Sequence, residues 1–268
     1  MLGSALLGIA IGAVMGLTGA GGGIFAVPAL VLVLGMEQSA AGTIALLAVG
    51  AAAALGAAQG LRQGIVRYRA AFLMAGAGAL SAPGGLYLAQ RLAPQWLAAL
   101  FAAVMLVVAL RMLSSAKEPQ HFNTPAPAAQ AKVCQVSQQT GRFAWNPKTF
   151  ATLALVGLVA GLFSGLLGVG GGFIIVPALA YVSNLRMQSI VATSLLIIAL
   201  LSSVTVSMAL VQGVSVDASG ATFTAAAMLG MLGGRQLAQH MPAALLHKLF
   251  AIACVLVAAL MVQRALGT

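Results

Sequence analysis

Long apolar runs separated by short charged stretches constrain this chain more than anything else in it. No charged residue falls within 1–36, 38–61, 70–90, 149–185 or 187–216. Hydrophobic residues make up 61% of the 268 and charged residues 6%, whereas a soluble domain carries about 25% charged residues. A water-facing surface cannot be coated from so few polar side chains. The composition therefore excludes a soluble enzyme, a nucleic-acid binder and a disordered chain. A membrane barrel would need strict alternation of apolar and polar residues, which the unbroken runs contradict. What remains is an all-α polytopic membrane protein, because helices satisfy their own backbone hydrogen bonds in lipid.

Charge and chemistry-bearing residues narrow the reading. Lys and Arg number 13 against 3 Asp and Glu, a net charge of +10. In a membrane protein such an excess marks cytoplasmic loops rather than nucleic-acid contact. The acids Glu37, Glu118 and Asp217 all lie between apolar runs, which argues against an intramembrane proton relay or a carboxylate metal site. His121, His240 and His247 have no partner at metal-ligand spacing, so no metal and no cofactor is expected. Cys134 in a polar stretch and Cys254 in an apolar run do not make a disulfide framework. The first apolar stretch has no basic flank before it and is expected to be a retained helix.

The chain repeats itself. Residues 16–30, GLTGAGGGIFAVPAL, match residues 165–179, GLLGVGGGFIIVPAL, at ten of fifteen positions and an offset of 149. The same offset relates Gly8, Gly12 and Gly16 to Gly157, Gly161 and Gly165, and Gly84-Gly85 to Gly233-Gly234. This predicts two homologous helical repeats, 1–113 and 149–268. A Pro-, Ala- and Gln-rich linker, 114–148, joins them and is expected to be flexible and cytoplasmic. Each repeat holds five apolar segments, near 1–18, 23–34, 40–59, 70–90 and 95–113, then 149–167, 172–183, 188–211, 218–239 and 243–263. Spanning takes about 20 residues. The second segment of each repeat is too short to span, so the Gly-rich stretch before it must break or reverse the helix within the membrane.

Two topologies follow. One tilted crossing per broken pair gives parallel repeats. A hairpin per broken pair gives inverted repeats. The inverted reading leaves only Arg91 and Arg264 outside, whereas the parallel one leaves Arg91, Arg186, Arg235 and Lys248 outside. The positive-inside rule favours inversion.

The Gly runs are the candidate site. Gly19, Gly21, Gly22 and Gly23, and Gly168, Gly170, Gly171 and Gly172, would each open a short helix whose first amides lack partners. Such ends attract oxyanions. Pro28 and Pro177 follow and would kink or unwind the short helices. Thr43, Thr193 and Ser194 lie just inside the third segments and could offer hydroxyls, or bond to their own helices instead. The expected ligand is a small anion bound between the breaks, released as one half rocks against the other. The expected surroundings are a lipid bilayer, and oligomeric state is left open. Gly8, Gly12 and Gly16, with Gly157, Gly161 and Gly165, lie four apart on one helix face and read as packing positions. Ser164 stands in GLFSG, which is not the GxSxG of a hydrolase, and no acid or His completes a triad. A passive anion channel or a non-transporting accessory subunit is the alternative class.

These motifs resemble the TauE/SafE sulfite exporters, also called the toluene sulfonate uptake permease family. The resemblance is carried by the two GGGxxxxP stretches, SAAGTIALL with SIVATSLL, and GGLYLAQRLAPQWLAALFA with GGRQLAQHMPAALLHKLFA. It covers both halves and omits the linker. It implies a bacterial inner-membrane carrier for sulfite, sulfonates or related oxyanions. Where Thr-Ser is usual in the family, the first half reads Thr43-Ile44, which removes one hydroxyl.

Overall fold

The computed structural model describes residues 2–18, 22–115, 134, 145–211, 217–238 and 243–265. The described residues form α1 (Leu2–Thr18), a 3-10 turn (Gly22–Phe25), α2 (Ala26–Val33), α3 (Gln38–Arg62), α4 (Tyr68–Arg91) and α5 (Pro94–Ser115). After the linker come α6 (Pro147–Leu167), α7 (Gly172–Val182), α8 (Met187–Val211), α9 (Ala218–Ala238) and α10 (Ala243–Ala265). The bounds fall close to the ten apolar segments, and the two short segments are the short helices α2 and α7. Among the described residues, four helices, α3, α4, α6 and α8, are both long and apolar enough to cross a membrane. Large side chains such as Leu80, Phe72, Leu6 and Leu229 point outward, as they do where lipid is the solvent.

Local chemistry explains several helix ends. Asn146 is extended and Pro147 opens α6, where the missing N–H costs nothing. Asp217 precedes α9 and accepts bonds from the Gly220 amide and the Ser219 hydroxyl. Those bonds, the hydroxyl first, hold its carboxyl below the usual range. The Thr193 hydroxyl on α8 accepts the Arg67 amide at 3.0 Å and so satisfies the start of α4. In the linker, the Cys134 amide donates to the Val182 carbonyl at the end of α7.

Two glycine seams dominate the packing. Gly8, Gly12 and Gly16 of α1 lie against Phe223, Ala227 and Met231 of α9, so close that a Cβ on any of the three would overlap α9 backbone. Gly157, Gly161 and Gly165 of α6 lie in the same way against Met74, Gly78 and Ala82 of α4. Both contact lists ascend together, so α1 runs parallel to α9 and α6 parallel to α4. The packing role expected for these six glycines is what the structure shows. Every residue of one seam stands 149 positions from its counterpart in the other. One position differs instructively. Gly230 abuts the Ile9 carbonyl, whereas its counterpart Ser81 donates its hydroxyl to the Leu158 carbonyl at 2.6 Å.

Between the seams lie α3 and α8. Gly50, Gly56 and Gly60 of α3 meet Ser202, Leu195 and Ala192 of α8, so these two helices run antiparallel. Buried Ala41, Ala45, Ala48 and Ala52 keep one face of α3 thin. About two thirds (67%) of the α3 span is buried against 33% of α4, which makes α3 the central helix. α4 also packs on α8, α9 on α3, and α5 on α10.

Charge separates along this axis. Gly60 touches Val66 and Ala192, Arg67 bonds to Thr193, and Arg235 donates to the Gly56 carbonyl. Arg62, Arg67, Arg69, Arg186 and Arg235 therefore share the end of the molecule where α3 finishes. Glu37 and Asp217 share the other end, where Gly220 meets Ile44.

Candidate functional site

The second break is fully described. α6 stops at Gly168, whose left-handed backbone (φ 71°) lets its amide fold back onto the Ser164 carbonyl. Gly170 and Gly171 are also left-handed, at φ 74° and 70°, and the chain then re-enters a helix at Gly172. Three positive φ values in four residues demand glycine, because a Cβ would strain each. The Gly171 carbonyl accepts from the Ile174 and Ile175 amides. The amides of Gly172 and Phe173, at the start of α7, have no carbonyl behind them within the helix.

The first break is built differently. Gly19 and Gly21 lie outside the described residues, as do Gln212 and His240. Gly22 and Gly23 open a buried 3-10 turn that leads into α2. Gly22 is pressed against the backbone of α1 at Met15, and Gly171 against the Ala160 carbonyl of α6. Each thus folds its short helix back onto the helix before it.

The two breaks meet. A Cβ on Gly23 would stand 3.6 Å from the Val169 carbonyl of the other break. Gly23 and Gly170 both rest on Val49, which sits at the middle of α3. The starts of α2 and α7 therefore converge beside the central crossing. Gly22, Gly23, Val49, Gly50, Val169, Gly170, Ile198 and Ser202 are all buried, so the two breaks meet inside the molecule.

The other expected residues divide. Gly42, beside buried Thr43, abuts Gly168, so Thr43 borders the second break. Thr193 spends its acceptor on the Arg67 amide, and Ser194 donates to the Ile190 and Val191 carbonyls of its own helix. Pro28 falls in the first turn of α2 and Pro177 inside α7, and neither helix unwinds there. The interruptions lie upstream, at the glycines. Pro28 also lines an apolar groove of about 310 Å³ with Ile11, Val14, Phe25, Val257 and Leu260, a lining unsuited to an anion.

From sequence, Ser164 figures only in GLFSG, which is rejected as a hydrolase motif, and Ser202 is not singled out. Ser164 and Ser202 are buried to 0% and 1% exposure, and neither hydroxyl has a hydrogen-bond partner among the described residues. Ser202 Oγ lies 3.3 Å from where a Cβ on Gly170 would stand, and 3.3 Å from that of Gly50. Nothing in the sequence separates these serines from those that bond to their own helices.

Outward-facing apolar helices around a buried polar-backbone centre define a multi-pass helical membrane protein. The chain belongs to the sulfite exporter TauE/SafE family, whose model matches residues 4–261. It is 32% identical over 188 residues to a probable membrane transporter protein of Xylella fastidiosa strain 9a5c. It is 31% identical over 191 residues to a protein of the same description from strain Temecula1. Each alignment covers 69% of this chain and 65% of the relative, so the chain spans just under two thirds of those proteins' length.

Proposed function

We propose that this protein is a secondary transporter that exports a small oxyanion, such as sulfite or an organosulfonate, across the bacterial inner membrane. The anion sits between the starts of α2 and α7, held by backbone amides of Gly19, Gly21, Gly22 and Gly23 and of Gly170, Gly171 and Gly172, while Gly168, whose amide is bonded to the Ser164 carbonyl, makes the turn. Helix starts carry partial positive charge and unpaired donors, and in a water-poor centre those dipoles act at full strength. The observation that carries the reading is the meeting of both breaks at Val49.

The halves are read as inverted repeats. The antiparallel run of α3 and α8, at matching places in the two halves, supports a two-fold axis perpendicular to both and hence in the membrane plane. The arginine-rich end is the cytoplasmic one by the positive-inside rule, which puts the linker inside. Anions arriving from the cytoplasm then meet Arg62, Arg67, Arg69, Arg186 and Arg235 first.

Flux tests the reading. Purified protein in proteoliposomes loaded with labelled sulfite should show saturable efflux and counterflow driven by unlabelled sulfite. Flux that rises linearly with concentration would identify a channel instead. Absence of flux with sulfite, organosulfonates and thiosulfate alike would leave a non-transporting subunit.

A further inference from the structure

The two breaks are alike in sequence but not in what surrounds them. In α8, the hydroxyls of Ser194, Ser203, Thr205 and Ser207 all donate to carbonyls about one turn back. Ser202, in the same helix, does not, and its buried Oγ faces the gap between Gly50 and Gly170. Ser164 ends the helix that leads into the same break, and its hydroxyl is equally buried and unpartnered. A buried hydroxyl without a partner costs free energy, so a folded protein that keeps two beside one loop has a use for them.

Among the described residues, the first half has nothing comparable. The residue 149 positions before Ser164 is Met15, and Ser202 corresponds to Ala52 or Ala53 in α3. All three are fully buried and apolar. Lys148, in the first turn of α6, is the one charged residue in α1, α2, α6, α7 and the middle of α3 and α8, and it stands at the opposite end of α6 from Ser164.

We infer that, of the two breaks that meet at the oxyanion site, the second is the stronger half. Ser164 and Ser202 donate their hydroxyls beside the α7 amides, and the site selects monoanions over dianions. The inference rests on the oxyanion-transport reading and makes it specific. Neutral donors can stabilise one negative charge in a dry centre. A second charge has no cation in contact with it, since Arg235 is held on the Gly56 carbonyl six residues along α3 from Gly50, and burial penalises that severely. Sulfite as its monoanion and alkylsulfonates fit; sulfate does not.

Isothermal titration of the full-length protein in detergent with sulfite, methanesulfonate and sulfate tests this. Wild type should bind sulfite or methanesulfonate at least about tenfold more tightly than sulfate. Ser202→Ala and Ser164→Ala should each weaken monoanion binding by roughly tenfold or more, the scale of a hydrogen bond to a charged group. Ser202→Cys, nearly isosteric and a weaker donor, should fall between. Ser203→Ala, on the exposed face, should change nothing. Without anion, the two alanine variants should melt no lower than wild type, since each removes an unpaired hydroxyl. A merely structural serine would do the reverse, lowering the melting temperature and sparing affinity. Monoanion binding that survives both alanine variants, or tighter binding of sulfate than of monoanions, overturns the inference and leaves transport intact. No binding of any oxyanion by the wild type overturns both.

Discussion

Gly84 and Gly85 are neighbours in α4, yet they answer to different forces. A Cβ on Gly84 would meet nothing within 4 Å, whereas one on Gly85 would overlap the Leu162 carbonyl of α6. The counterpart pair repeats the division: Gly233 is open and Gly234 is pressed on Ala13. Gly85→Ala should therefore destabilise the folded protein by about 1–3 kcal/mol, the usual cost of overpacking. Gly84→Ala should be neutral or raise stability by up to about 1 kcal/mol, because alanine favours helix. Thermal melts of the two variants in one detergent would check the pair; equal losses would contradict the seam. The four-residue spacing made Gly8, Gly12 and Gly16 legible as a packing face, but not which helix they pack on. Ser164 and Ser202 were illegible for a deeper reason. An unpaired hydroxyl is defined by what does not surround it, and that depends on residues far away in the chain.

At the scale of elements, ten segments were readable because apolar length alone sets helix extent in such a chain. The breaks were readable as well, since three glycines in a row inside an apolar run have few other uses. Their mechanism was less so. Proline looked like the disruptor, yet Pro28 sits where a helix needs no N–H and α7 continues through Pro177. Left-handed glycines make the turn instead. Gly22→Val and Gly171→Val would drive a branched side chain into Met15 or the Ala160 carbonyl. Such variants should be lost at assembly and report little about anion binding. Thr193 shows a candidate ligand that carries a structural task. Its hydroxyl is the acceptor for the amide that begins α4. Thr193→Val should lower stability by about 1–2 kcal/mol, as loss of a capping oxygen does, and Thr193→Ser should restore most of it. Equal melting of Thr193→Val and wild type would show that the bond contributes nothing.

Across the whole molecule, the halves are interlocked rather than side by side. α1 of the first half is seamed to α9 of the second, and α6 of the second to α4 of the first. Rocking one half against the other would part both seams, where backbones touch with no side chain between to slide upon. The expected motion therefore meets its greatest resistance there, and α2 and α7, short and attached at the centre, are the easier bodies to move. The same interlocking bears on topology. Glu37 and Arg186 stand 149 positions apart, each exposed in the stretch that leads into the central helix of its half. Opposite charges at matching places make sense if duplication placed one outside and one inside. Single cysteines at Glu37→Cys and Arg186→Cys should then label from opposite sides of the membrane with an impermeant maleimide. Cys134 should react slowly as background, because burial pushes its thiol up despite a bond to Thr149. Parallel repeats would expose both new cysteines on the same face, and that result would remove the in-plane axis on which the inverted reading stands.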